Sequence, residues 1–204
     1  MRGIGAIILA AGGSTRMGRP KQLLQFQGQS LLRRAASVAI DAKCDPIVIV
    51  IGNHASAMLA DLTSLAVHPV ENSDWPRGIG TSIRAGVREV LARQPDTIAT
   101  FIHLCDQPLV ASATFEKLLN ARKESGKPVC VCSFAETIGP PVLVDRTLFP
   151  ALLELPDHAG AKKVWTDHPE QLCTVRCPEA ALDADTPEDY QKLLGGGDGR
   201  SRNS

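Results

Sequence analysis

Short, mostly apolar runs alternate along this chain with stretches of helical period. Ile4–Leu9 (IGAIIL), residues 46–51 (PIVIVI) and residues 98–104 (IATFIHL) have little polar alternation, the pattern of strands buried on both faces. Residues 66–70 read as a weaker strand and residues 128–134 (PVCVCSF) as another β-rich run. Residues 30–42, 55–62, 81–92 and 112–124 carry apolar side chains at helical spacing, with Ser112 placed to cap the last of them. Beyond Gly139 the pattern loosens: a short run at 142–144, helices at 149–155, 159–167 and 187–194, and a strand at 172–175. Strands alternating with helices predict an α/β fold around a largely parallel sheet. A chain of 204 residues is expected to form one domain over 1–194, and the polar, glycine-rich residues 195–204 read as a disordered tail.

Charge narrows the function classes. Lys plus Arg and Asp plus Glu are both 22, so the basic excess of a nucleic-acid binder is missing. No apolar run approaches the ~20 residues that cross a bilayer, and the first run lacks a charged leader and a cleavage pattern. A cytoplasmic monomer without a membrane partner is the expectation. The cysteines at 44, 105, 130, 132, 173 and 177 lack zinc-knuckle spacing and read as reduced, mostly buried thiols. Cys105 has no base close in sequence and is not expected to be a nucleophile.

The most informative segment is residues 9–24, LAAGGSTRMGRPKQLL. A buried strand ends and a loop follows with glycines at 12, 13 and 18. Such a loop can turn several N–H groups toward one anion, and Arg16 and Lys21 add two positive charges. A triphosphate needs that neutralisation before a nucleophile can approach. An ordinary glycine-rich turn with solvated charges is the alternative. A Walker loop fits less well: Gly13 and Gly18 have its separation, but Arg19 and Pro20 follow, and no GxGxxG follows the strand.

Other motifs suit the same chemistry. Asp106, in CDQP after a buried strand, can give magnesium a carboxylate or can open a turn or cap the next helix. Asp183 and Asp185, two apart, point the same way if extended; Asp185 could instead cap the helix that Pro187 begins. Gly78, Gly80 and Ser82 stand at a loop-to-helix junction where N–H groups can approach a ring or phosphate, or where a helix simply starts. Trp75 can pack locally, and His103 and His158 read as structural or solvent-facing.

The first segment resembles LAAGxSxRMGxxKxLL, the signature of the MobA-like nucleotidyltransferases of the molybdenum-cofactor branch, and more closely their cytidylyltransferase members. Residues 72–87 (NSDWPRGIGTSIRAGV), 105–108 (CDQP), 139–143 (GPPVL) and 183–190 (DADTPEDY) are similar to the family's later motifs, in order. The resemblance implies a Rossmann-like three-layer α/β/α nucleotidyltransferase fold with a mostly parallel sheet, a nucleotide half over about 1–110 and an acceptor half over about 111–194. It implies that Leu9, Ala10, Ala11, Gly12, Gly13, Ser14, Arg16, Lys21, Asn72, Gly78, Gly80 and Ser82 bind nucleotide. Catalysis would rest on Arg16, Lys21 and Asp106; Asp106 with Asp183, or with its rival Asp185, would hold Mg²⁺ or Mn²⁺. Ala11, where the guanylyl branch tends to have glycine, implies CTP rather than GTP. The implied acceptor is molybdenum-loaded molybdopterin, with transient docking to a molybdenum enzyme or its chaperone. Alternatives are GTP as donor, another small phosphate as acceptor, or a non-catalytic carrier. Two departures fall in the acceptor half: Pro140 where relatives are polar, and a shifted segment at 156–162 with Lys162 in place of arginine.

Overall fold

A seven-stranded sheet forms the centre of the protein, and the computed structural model describes residues 3–14, 17–166 and 168–196. In chain order the elements are β1 (Ile4–Leu9), β2 (Gln25–Phe26), β3 (Gln29–Ser30), α1 (Leu31–Asp41), β4 (Ile47–Ile51), α2 (Ala55–Asp61), β5 (His68–Glu71) and α3 (Ile79–Arg93). There follow β6 (Ala99–Leu104), α4 (Ser112–Ser125), β7 (Val129–Phe134), β8 (Thr137–Asp145), α5 (Phe149–Leu153), β9 (Leu172–Arg176) and α6 (Pro187–Gly196). The order across the sheet is β5-β4-β1-β6-β8-β7-β9. β5, β4, β1 and β6 are parallel, β8 is antiparallel to both neighbours, and β9 is parallel to β7.

Helices cover both faces, which is why β1 and β4 need no polar alternation. Ile4, Ala6 and Ile8 pack with Leu32 and Ala36 of α1 and with Phe115 and Leu118 of α4. Ile7 and Leu9 point the other way, onto Ile83, Val87 and Val90 of α3 and Phe149 and Leu152 of α5. Gly86 lets α3 sit against β1, since a Cβ there would stand 2.4 Å from Ile7 Cγ2. A third cluster joins α6, through Tyr190 and Leu193, to Met17, Leu24, Phe26 and Leu31 around the β2–β3 hairpin. The Tyr190 hydroxyl donates to the Gln25 carbonyl at 2.6 Å, so the last helix is fastened to the chain that follows the first loop.

The structure departs from the sequence expectations in several places. The run at 142–144 is the end of a nine-residue strand that forms a hairpin with β7. The turn residues Ala135 and Glu136 both have positive φ, the geometry usually supplied by Asn-Gly, so the turn carries no sequence signal. Pro140 and Pro141 sit in a break of the β7–β8 register, where the ladder needs no donors from them. The helix expected at 159–167 is only a 3-10 turn, Ala161–Val164, and residue 167 lies outside the described residues. Ser112 begins α4 rather than capping it; the cap position is Ala111, without a side-chain bond. Gly195 and Gly196 of the expected tail belong to α6, and residues 197–204 lie outside the described residues. All six cysteines are free, five of them buried. No helix among the described residues is long and apolar enough to cross a membrane.

Candidate active site

Parallel pairing sets Leu9 of β1 opposite Leu104 of β6, so the loops that follow both strands leave the same edge of the sheet. There they enclose a cavity of about 330 Å³. Leu9, Ala10, Ala11, Gly12, Lys21, Ser82, Asp106, Asp183 and Asp185 are among the residues that line it. A ligand crevice at the carboxyl ends of strands is the rule for open α/β sheets. A Cβ at Gly12 would meet nothing within 4 Å, so this glycine leaves open space rather than relieving a strained turn.

Three segments far apart in the chain meet in a charge cluster. The Lys21 ammonium hydrogen-bonds Asp106 Oδ2 and lies 2.7 Å from Asp185 Oδ1. Burial alone would lower the lysine pKa, but the Asp106 charge and the bonds to both carboxylates hold it above its ordinary value. Asp183 is pushed up to about 6, first by burial and then by the negative charges of Asp106 and Asp185. Its segment is docked by the Ala184 N–H on the Asp106 carbonyl at 2.9 Å. The two rivals therefore differ. Asp185 is half exposed and paired with Lys21, whereas Asp183 is turned inward. Asp185 does not cap α6: Thr186 does so, accepting from the Asp189 N–H and donating to the Asp189 carboxylate. Nor does Asp106 cap α4, since its side chain faces Lys21.

The donor set suits a divalent cation. Asp106 Oδ1 and Asp183 Oδ1 are buried without a hydrogen-bond partner among the described residues. Asp106 and Asp185 share the Lys21 ammonium, and the charges of Asp106 and Asp185 both act on Asp183. No preformed cage of three ligating side chains exists among the described residues. Magnesium does not need one, because it takes one or two carboxylates and completes its shell with water and phosphate oxygens.

Several expected binding residues do not line this cavity. Gly13 lies against Trp75, whose ring a Cβ would meet at 2.9 Å; Trp75 itself lines the cavity. Ser14 is held in a network with Gln22 behind the loop. The Asn72 amide donates to Thr81 Oγ1 at 2.8 Å and Ser82 Oγ at 3.0 Å, so it positions Ser82, which lines the cavity. Gly78 and Gly80 face residues 156–159: Cβ atoms there would stand 2.4 Å and 2.1 Å from the Asp157 and Pro156 carbonyl oxygens. The Gly80 N–H already donates to Asp157 O at 2.7 Å, so it is closed to a phosphate. Arg16 lies outside the described residues. Cys105 is buried, with its thiol pKa raised by burial and by Asp106, which leaves it a poor nucleophile. His103 is buried and held neutral, its pKa lowered to about 3 by burial, with its edge on Phe115. His158 is exposed.

Two buried glutamines escaped the sequence reading. Gln22 Nε2 donates to Ala10 O and Gly12 O, both at 2.8 Å. Gln107 Nε2 donates to Pro140 O at 3.0 Å and Ala180 O at 2.9 Å, tying β8 and the chain before Asp183 to the end of β6. Their only signal was position, beside Lys21 and beside Asp106.

A second cavity, about 270 Å³, shares Leu9, Ile79 and Leu104 with the first. Ile83, Ile102, Ile138, Val142 and Trp165 make it apolar, with Lys162 on its wall. Both departures seen in the sequence bear on it. Pro140 lines it directly, and Asp157 of the shifted segment is paired with Arg77 at 2.6 Å and Arg84 at 2.5 Å. Those pairs and the Arg84 bond to the Leu155 carbonyl pin residues 155–157 against the start of α3.

Comparison with known proteins agrees with this architecture. The family model described as the MobA-like NTP transferase domain matches residues 6–172. The chain is 30% identical to the nicotine blue oxidoreductase of Paenarthrobacter nicotinovorans, over 92% of this chain and 95% of that one. It is 25% identical to the molybdenum cofactor cytidylyltransferase of Escherichia coli K12, over 93% and 95%. The solved structure of Rv0371c from Mycobacterium tuberculosis H37Rv in complex with manganese superposes with a TM-score of 0.72, at 31% identity over 94% of this chain and 98% of that one.

Proposed function

The chain belongs to the MobA-like NTP transferase family and is a nucleotidyltransferase, and from that premise we propose that it transfers CMP from CTP to the terminal phosphate of molybdenum-loaded molybdopterin. The products are molybdopterin cytosine dinucleotide and pyrophosphate. Family membership speaks against the carrier alternative. The observation that carries the proposal is the convergence of Lys21, Asp106, Asp183 and Asp185 on a cavity walled by the first loop. Similarity to the cytidylyltransferase from Escherichia coli supports the donor and acceptor, and the manganese complex of Rv0371c supports a divalent metal. Ala11 supports CTP: the residue lines the cavity, although one methyl discriminates between bases by only about 1–3 kcal/mol.

The residues divide the work. Asp106 and Asp183 would hold magnesium or manganese, which neutralises triphosphate charge when bound. The acceptor phosphate is the nucleophile at the α-phosphorus and is already ionised near neutral pH, so no general base is needed. Lys21 leaves its carboxylates for the reacting phosphates and strengthens its hold as negative charge builds there. Asp185 keeps the ammonium aimed until then. Arg16, by resemblance, holds the departing pyrophosphate. Catalysis is then positioning and charge neutralisation.

Magnesium-dependent pyrophosphate release, with CTP and GTP offered separately alongside molybdenum-loaded molybdopterin, tests the proposal. Release with CTP alone supports it. Release with GTP alone moves the donor, and release with neither, in a protein that binds magnesium–CTP, moves the acceptor.

Two glycines give sharper tests. Gly12→Val fills open space at the cavity wall without backbone strain. It is expected to weaken magnesium–CTP binding about a hundredfold, read by calorimetry, with the melting temperature little changed. Gly160 lines the apolar cavity, and a Cβ there meets nothing within 4 Å. If the acceptor's body sits in that cavity, Gly160→Leu raises acceptor KM about tenfold or more and leaves CTP KM within about twofold. Equal changes in both would place the acceptor elsewhere.

A further inference from the structure

We propose that Gln22 is the positioning residue of the first loop: its buried amide ties loop carbonyls back into the protein and leaves the loop's N–H groups for the nucleotide's phosphates. The inference rests on the nucleotide reading of the cavity. Gln22 is 1% exposed. Both of its N–H donors are used, on Ala10 O and Gly12 O at 2.8 Å each. Its Oε1 accepts from Ser14 Oγ at 3.1 Å, and Ser14 Oγ accepts from the Lys21 N–H at 3.0 Å. One planar group therefore fixes residues 10, 12 and 14 and, through Ser14, the backbone of Lys21.

The consequence is a polarity. A loop that receives an anion must keep its carbonyl dipoles away from it. Ala10 and Gly12 line the cavity, so an untied carbonyl at either residue has two options. It can stay buried without a donor, or it can rotate toward the triphosphate, and both disfavour binding. Ser14 has φ 51, a left-handed conformation a non-glycine residue keeps only when neighbouring bonds hold it. Only an amide supplies two donors and an acceptor in one plane. A carboxylate at position 22 would lose the donors and add negative charge beneath the phosphates. Lysine and arginine lack the acceptor. The 3-10 turn Lys21–Leu23 sends successive side chains about 120° apart, so one turn delivers the ammonium to the front of the loop and the amide to its back.

The test uses Gln22→Met, which keeps length and removes the polar bonds, and Gln22→Glu, which keeps only the acceptor. Inorganic pyrophosphate and magnesium–CTP are the probes, measured by calorimetry, with acceptor KM and the melting temperature followed in parallel. Gln22→Met is expected to weaken both probes about 10- to 100-fold while acceptor KM moves less than about twofold. Gln22→Glu is expected to bind pyrophosphate more weakly still. Ser14→Ala removes one link of the network and is expected to cost about three- to fivefold on the same probes, which keeps the test open if Gln22→Met folds poorly. A folded Gln22→Met with unchanged pyrophosphate affinity overturns the proposal. So does a parallel rise of acceptor KM and nucleotide Kd, the mark of a merely structural residue. Wild-type protein that binds neither probe overturns the nucleotide reading itself, and the inference with it.

Discussion

Asp106→Ala is expected to lower kcat/KM about a thousandfold or more while the fold survives. The carboxylate is one of two with a buried oxygen that lacks a hydrogen-bond partner among the described residues, and it is the partner that most strongly holds Lys21. Its loss would remove a metal ligand and let the ammonium drift toward Asp185. Survival of the fold follows from what the residue contributes through its backbone. The Asp106 carbonyl, not its side chain, receives the Ala184 N–H, so the docking of the closing segment does not depend on the carboxylate. Pyrophosphate release and a melting curve measured side by side test both halves. Mn²⁺ binding followed by electron paramagnetic resonance adds an activity-free readout, and it should be lost. Wild-type turnover in the variant would remove the metal role from Asp106.

Lys21→Met should have opposite effects on turnover and on binding of the metal alone. Without nucleotide, the ammonium already neutralises part of the carboxylate cluster that would receive a cation. Removing it takes from Asp106 the ammonium it is paired with and makes the cluster more negative by one charge. A unit charge about 4 Å away is worth roughly 4 kcal/mol at an effective dielectric constant of 20, so a tenfold gain in Mn²⁺ affinity is a conservative expectation. Turnover should nevertheless fall about 100- to 1000-fold, because the charge that follows the reacting phosphates has gone. The metal-free variant should melt lower than wild type, and Mn²⁺ should restore part of the loss. Unchanged Mn²⁺ affinity would mean that lysine and metal do not compete for these oxygens. A rise in KM with kcat intact would mean that Lys21 holds substrate equally in ground and transition states.

The residues in this cluster were named from motifs, but their division of labour was not readable there. By resemblance Asp183 came before its rival Asp185 as a metal ligand, and only the folded chain buries an oxygen of the first and sets the second on Lys21. Gly78 and Gly80 look like a place for a ligand because glycine permits close approach. The close approach exists, but it is made by residues 156–159 of the same chain. Asn72, read from the motif as a ligand contact, hydrogen-bonds Ser82 in the fold. In each case the residue type signals intimate contact without saying with what.

Local pattern was sufficient for β1, β4, β6, α1 and α3, because burial on both faces or along one stripe leaves a period in the chain itself. Motif order likewise pointed to the family, and the family carried the three-layer fold with it. Tertiary structure alone decided the β7–β8 hairpin, whose Ala135–Glu136 turn lacks the usual residues, and the short 3-10 turn Ala161–Val164 where a longer helix was expected. It alone placed an apolar cavity beside a charged one and set a buried glutamine behind the loop. Periodicity is a property of neighbours a few residues apart. A hydrogen bond such as that from Gln22 to Gly12, or an ion pair such as Lys21 with Asp185, depends on where the chain returns, and that is fixed only when the whole sheet and its two helical layers close.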